Sequence, residues 1–150
     1  MNTNSDQMNI FLADDDEDDR SLFKLAFDET KLNSNLSLFK SGNELMDFLN
    51  QDNLKLPHIL FLDLNMPGKT GAQCLAEIKA NPKFRNMSIA IYSTSNSEKD
   101  IEDTLSGGAN IYIHKPNDFQ KLKQIIKHVL KINWQYHTSG LNRESFFLSI

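Results

Sequence analysis

Four short stretches of this chain hold residue types suited to binding and moving a charged group. Asp14-Asp15-Asp16-Glu17-Asp18-Asp19 sets six acids in a row. Asp63-Leu64-Asn65-Met66-Pro67-Gly68 sets a single acid before a turn, Ser93-Thr94-Ser95 offers hydroxyls, and Lys115-Pro116 offers an ammonium. Clustered carboxylates raise one another's pKa unless a cation neutralises them. Hard oxygen donors such as Asp14, Asp15, Asp63 and a backbone carbonyl near Asn65 favour Mg²⁺, which keeps several of its waters. A cation held this way can offset the charge of a phosphoryl group. Lys115 suits phosphate as a mobile point charge, Ser93 supplies a hydroxyl, and an aspartate can act as a nucleophile that forms an acyl phosphate. Asp63 is the candidate nucleophile, because it ends the most continuous apolar run and would be held rigidly.

These stretches span about a hundred residues, so the fold must gather them. Each follows a short apolar run: Asn9–Ala13, His58–Leu62, Ser88–Tyr92 and Asn110–His114; a further run covers Leu36–Phe39. Near-continuous apolar runs fit strands covered on both faces, as in a parallel sheet. Between them lie helical spacings: Leu22, Phe23, Ala26 and Phe27; Leu45, Met46 and Leu49; Cys74, Leu75 and Ile78; Ile101 and Leu105, stopped by Gly107-Gly108; and Phe119, Leu122, Ile125, Ile126, Val129 and Leu130. Five strands alternating with five helices predict an α/β domain with right-handed crossovers. Ligands of such folds sit beyond the carboxyl ends of the strands, where the four stretches fall.

Composition narrows the function classes. The chain has 150 residues and a formal net charge of −4, which argues against a nucleic-acid binder. The lysines at 121, 123, 127 and 131 are then a solvated helix face rather than a basic patch. The single cysteine, Cys74, excludes a disulfide framework and reads as core. No apolar run approaches the roughly 20 residues that span a bilayer, so no membrane partner is expected and the expected location is cytoplasmic. The organisation expected is a polar segment over 1–8, one domain over 9–132, and a tail over 133–150. That tail, with Trp134, Tyr136, Phe146 and Phe147, is expected to pack on its own domain or on a second copy, as in a homodimer.

The order of motifs resembles the receiver domain of two-component response regulators, of the chemotaxis-type single-domain kind. The resemblance rests on the acidic pair after strand one, Asp63 followed by Asn65-Met66-Pro67 and Gly71, Ser93, Tyr112 and the Lys115-Pro116 step, and spans about residues 9–132. It implies a flavodoxin-like, doubly wound, five-stranded parallel sheet of order 2-1-3-4-5. It implies that Asp63 accepts a phosphoryl group from a histidine kinase or a histidine phosphotransfer protein. Asp14 and Asp15, with Asp16 as the alternative, would bind Mg²⁺ together with Asp63 and the main-chain carbonyl of Asn65. Lys115 would pair with the phosphoryl oxygens, Ser93 would move to bond them, and Tyr112 would rotate inward and alter a surface read by a downstream protein. The Lys115-Pro116 bond would be a candidate cis peptide. Asn117 departs from the aromatic residue usual after this step.

Other readings start from the same residues. A haloacid-dehalogenase-type phosphatase also uses a strand-ending Asp, Mg²⁺ and a Lys, but needs a second acid where this chain has Asn65. A flavin binder would not place six acids where a phosphate should sit. A phosphorylation-independent scaffold would keep the fold and lose the chemistry. The acids Glu17, Asp18 and Asp19 are expected to do no more than start a helix in solvent.

Overall fold

The computed structural model describes residues 7–139 and 147–148; over 132–139 and 147–148 it describes the backbone alone. The elements alternate: β1 (Met8–Ala13), α1 (Glu17–Thr30), β2 (Ser34–Phe39), α2 (Gly42–Leu49), β3 (Ile59–Leu62), α3 (Gly71–Ala80), β4 (Ser88–Ser93), α4 (Glu98–Ser106), β5 (Ile111–His114) and α5 (Phe119–Ser139). The five strands are parallel and lie in the order β2-β1-β3-β4-β5. This is the flavodoxin-like arrangement expected.

The strands read as unbroken apolar runs because the sheet has a core on each face. Ile10 and Leu12 of β1, Ile59 and Phe61 of β3, and Ile111 and Ile113 of β5 pack with Phe23, Ala26 and Phe27 of α1 and with Leu122, Ile125, Ile126 and Val129 of α5. The alternate residues Phe11, Leu60, Leu62, Ile89 and Ile91 pack against Leu45 and Leu49 of α2, Cys74, Leu75 and Ile78 of α3, and Phe84. Successive side chains of a strand point to opposite faces, so covering both faces needs apolar residues at every position. All of β3 and β4 is buried, whereas β2, at an edge, is half exposed. Burial pushes the Cys74 thiol up to about 11, in keeping with a core residue.

Some local expectations need correction. Leu22 is 41% exposed, because the buried stripe of α1 runs through Phe23, Ala26, Phe27 and Thr30. None of the described peptide bonds is cis, so Lys115-Pro116 is trans, the isomer that X-Pro bonds favour by about 0.5–1 kcal/mol. Helix α5 continues across position 132 to Ser139. A two-residue strand, β6 (Phe147–Leu148), pairs in parallel with Tyr112 and Ile113 of β5. It gives partners to backbone groups that an edge strand would leave open. The expected packing of the tail aromatics and most of the 1–8 segment lie outside the residues whose side chains are described.

Candidate functional site

The sheet fixes the site through ladder bonds that run one residue past the strands. The Asp14 N–H donates to the Phe39 carbonyl at 3.0 Å, the Asp63 N–H to the Ala13 carbonyl at 3.0 Å, and the Lys115 N–H to the Ser93 carbonyl at 2.8 Å. Each functional side chain therefore leaves a backbone already tied to its neighbour. Helix α1 adds to this: Arg20 Nη1 donates to the Asp14 carbonyl at 2.8 Å. Gly71, which opens α3, lies so close to the β3–α3 loop that an added Cβ would stand 2.1 Å from the Asp63 carbonyl oxygen. Only glycine allows the N-terminus of α3 to pack there.

Carboxylate oxygens of Asp14, Asp15 and Asp63 lie within 4.8 Å of one another. Asp14 is fully buried, Asp63 is 5% exposed, and Asp15 is exposed. Lys115 Nζ stands 2.9 Å from Asp14 Oδ2, 2.9 Å from Asp19 Oδ2 and 3.5 Å from Asp63 Oδ2. Its contact with Asp14 Oδ2 is an ion pair outside hydrogen-bond geometry, and among the described residues this buried oxygen accepts no hydrogen bond. Asp63 Oδ1 accepts from the Asn65 N–H at 3.3 Å, and Asp14 Oδ1 from the Asp16 N–H at 3.0 Å.

The electrostatics follow from this crowding. Burial, with Asp14 beside it, pushes Asp63 up to about 6 against the pull of Lys115. Burial also disfavours the Lys115 ammonium, but the carboxylates of Asp14, Asp19 and Asp63 outweigh it and hold Lys115 above the usual lysine range. Three carboxylates face one ammonium before Asp15 is counted. A buried carboxylate oxygen that accepts no hydrogen bond among the described residues, and an excess of hard donors, fit a divalent cation that keeps part of its water shell.

The structure thus brings together Asp14, Asp15, Asp63 and Lys115. Asp16 instead caps α1, its side chain accepting from the Asp19 N–H at 2.9 Å. Ser93 is fully buried at the end of β4, and its Oγ accepts from the Ser95 N–H at 3.1 Å. Tyr112 is already buried, its hydroxyl donating to the Ser95 carbonyl at 2.8 Å, so β5 is tied to the β4–α4 loop. Ser97 caps α4. His114 turns to the Thr94 carbonyl, 3.0 Å from its Nε2.

Two residues of the site carry no clear mark in the sequence. Asp19 belongs to the site rather than to solvent, and Arg20 holds the backbone of Asp14. The cap at Asp16 puts Glu17, Asp18 and Asp19 alike in the first turn of α1, so it does not single out Asp19. Among the described residues no helix is long and apolar enough to cross a membrane.

Comparison with known proteins agrees with this arrangement. The family model described as "Response regulator receiver domain" matches residues 10–127. Response regulator Rcp1 of Synechocystis sp. is 29% identical over 122 residues, covering 79% of this chain and 83% of Rcp1. The phosphorylated cyanobacterial phytochrome response regulator RcpA has a solved structure that is 30% identical, with a TM-score of 0.77, covering 91% of this chain and 97% of that one. The Mn²⁺-bound form of Rcp1 gives a TM-score of 0.74 at 28% identity, covering 81% and 91% of the two chains. The chain, with its acids and its lysine gathered at the carboxyl edge of a 2-1-3-4-5 sheet, belongs to the response regulator receiver domain family.

Proposed function

We propose that this protein is a phosphoryl-accepting switch, in which Asp63 takes a phosphoryl group from a phosphohistidine on a histidine kinase or a histidine phosphotransfer protein. The observation that carries this reading is the meeting of Asp14, Asp15 and Asp63 within 4.8 Å, with Lys115 bridging to Asp14 and Asp63. Asp14, Asp15, Asp63 and the main-chain carbonyl of Asn65 would hold Mg²⁺, and the use of Asp16 as a helix cap favours Asp14 and Asp15 over it. The bound cation would supply charge neutralisation for the incoming phosphoryl group. The solved Mn²⁺-bound form of Rcp1 and phosphorylated form of RcpA support both parts of the reading.

The chain's own residues account for the rest. Asp63 is kept in place by its ladder bond and by the Asn65 N–H, so one carboxylate oxygen is presented as nucleophile. Lys115 neutralises the product's added charge, which is about one unit once a carboxylate becomes an acyl phosphate. The phosphoryl oxygens would accept the Ser93 O–H and draw that hydroxyl toward Asp63, together with the Ser95 N–H that donates to its Oγ. A shift of that loop carries with it the Ser95 carbonyl that anchors Tyr112. The surface around α4, β5 and α5 would then change for a downstream protein. The domain catalyses its own phosphorylation and dephosphorylation and is otherwise no enzyme. The phosphatase alternative lacks a general acid, since Asn65 stands where it would be needed.

Incubation with acetyl phosphate and Mg²⁺, followed by intact mass, tests this reading. One added phosphoryl group is expected, absent in Asp63→Ala and absent when the metal is chelated. Modification that persists in Asp63→Ala overturns the assignment.

A further inference from the structure

We propose that Asp19 is a positioning residue for this chemistry: a displaceable counter-ion that holds the Lys115 ammonium on the α1 side of the site until a phosphoryl group arrives. The inference rests on the phosphoryl-acceptor reading given above and adds a residue that the reading does not use.

Lys115 has three carboxylates to choose from and lies unequally between them. Asp14 and Asp19 are each at 2.9 Å, while Asp63 is at 3.5 Å, so the ammonium leans away from the nucleophile. The two near partners differ in what leaving them would cost. Asp14 has a fully buried side chain and would stay in low dielectric as an uncompensated charge. The Asp19 side chain is 40% exposed, and water can take over its solvation once Lys115 departs. Lys115 itself is only 9% exposed, so it needs a counter-ion at rest. Asp19 meets that need from a position where it can be given up.

In the transfer from acetyl phosphate, an Asp63 carboxylate oxygen bonds to phosphorus. The bond from phosphorus to the acetyl oxygen breaks, and acetate leaves with the electron pair. Negative charge accumulates where Asp63 stood, and Lys115 must move toward it. Asp19 opposes this twice, by competing for the ammonium and by repelling the anionic donor. Asp19→Asn removes both effects. With Mg²⁺ saturating, kcat/KM for acetyl phosphate should rise about fivefold, mostly through a lower half-saturating concentration of donor. In the absence of any phosphodonor, the same variant should bind Mg²⁺ about threefold more weakly, because one negative charge is gone and Lys115 presses harder on Asp14 and Asp63. A merely structural role in the first turn of α1 would move both quantities downward; opposite signs are the signature of a counter-ion. Asp19→Glu, which keeps the charge, should restore both quantities to within about twofold of the parent.

The experiment compares the full-length parent, Asp19→Asn, Asp19→Glu and Asp63→Asn by intact mass over time with acetyl phosphate, and by calorimetric titration with Mg²⁺ alone. A rate in Asp19→Asn equal to or below the parent's overturns the proposal, as does Asp19→Glu behaving like Asp19→Asn. If either occurs while the parent is modified and Asp63→Asn is not, the role of Asp19 falls and the phosphoryl-acceptor reading stands. If the parent takes no phosphoryl group at all, both fall.

Discussion

The two ends of the sheet solve the same problem in opposite ways. At both ends, polar groups sit where strands stop and the backbone ladder runs out. At the amino end, His58 precedes β3, donates its N–H to the Asn9 carbonyl at 2.8 Å and accepts the Asn9 N–H on its own Nδ1 at 2.9 Å. Asn110, before β5, does the same with Ile89: its N–H donates to the Ile89 carbonyl and its Oδ1 accepts the Ile89 N–H, both at 2.8 Å. A side chain replaces the missing ladder acceptor in each case, so the backbone donors of Asn9, His58, Ile89 and Asn110 all meet an acceptor. At the carboxyl end the same ladder places charges, and they do not balance. Asp14 Oδ2 is left without a hydrogen bond, and Asp63 is pushed up to about 6 by burial. Polar groups with their hydrogen bonds made specify the fold; those held in unresolved conflict lie where the proposed cation and phosphoryl group would sit.

On this contrast the carboxyl end depends on enforced closeness, and Gly71→Ala should have the largest effect of any substitution that tests it. Its Cβ would stand 2.1 Å from the Asp63 carbonyl oxygen and 2.7 Å from Leu64 Cα, both backbone atoms that cannot swing aside. A loss of about 3 kcal/mol is expected, readable as a fall in the urea midpoint. A midpoint within error of the parent would mean that the β3–α3 loop is not pinned.

Next in size is a change that should stabilise. Asp63 has a folded pKa raised from 3.8 to about 6, chiefly by burial. A raised carboxyl contributes stability below its unfolded value and loses that contribution as the pH rises through about 6. Near neutrality the ionised Asp63 is therefore a burden on the metal-free fold, and the neutral amide of Asp63→Asn is not. With a chelator present, the advantage of Asp63→Asn over the parent should grow by about 2 kcal/mol between about pH 4 and about pH 8. An advantage that is constant with pH would show that the conflict at this end is already relieved without a cation.

How much of this is legible in the sequence depends on whether the signal is local. β3 and β4 stand out because both faces are buried, so every position is apolar. Only the Leu36–Phe39 part of β2 carries a strand signal, since an edge strand with exposed alternate residues has a weaker pattern. Asp63 and Lys115 can be found because strand ends in a parallel sheet converge whatever the intervening sequence. Asp19 cannot, because its partner Lys115 is 96 residues away and nothing local separates it from Glu17 and Asp18. His58 and Asn110 merge into the apolar runs they precede, their role hidden because only the pairing register reveals which backbone group lacks a partner. β6 is two residues long and is defined solely by its pairing with β5.

The amino end provides the smaller and finer tests. Asn110→Ala removes the acceptor of the Ile89 N–H, in a strand that is wholly buried. An orphaned backbone donor there should cost about 1.5 kcal/mol, half the effect of Gly71→Ala, with phosphorylation by acetyl phosphate unchanged. Loss of phosphorylation at equal stability would mean that the two ends communicate. The mildest change separates shape from acceptor chemistry. His58→Asn places an amide oxygen close to where Nδ1 stood, so the Asn9 N–H keeps an acceptor, as it does in the Asn110 arrangement already present two strands away. The expected cost is under about 0.5 kcal/mol, against about 1.5 kcal/mol for His58→Ala, which offers no acceptor. If Asn proves as costly as Ala, then the ring's packing rather than its nitrogen holds β1 to β3, and satisfied hydrogen bonding is not what distinguishes this end from the other.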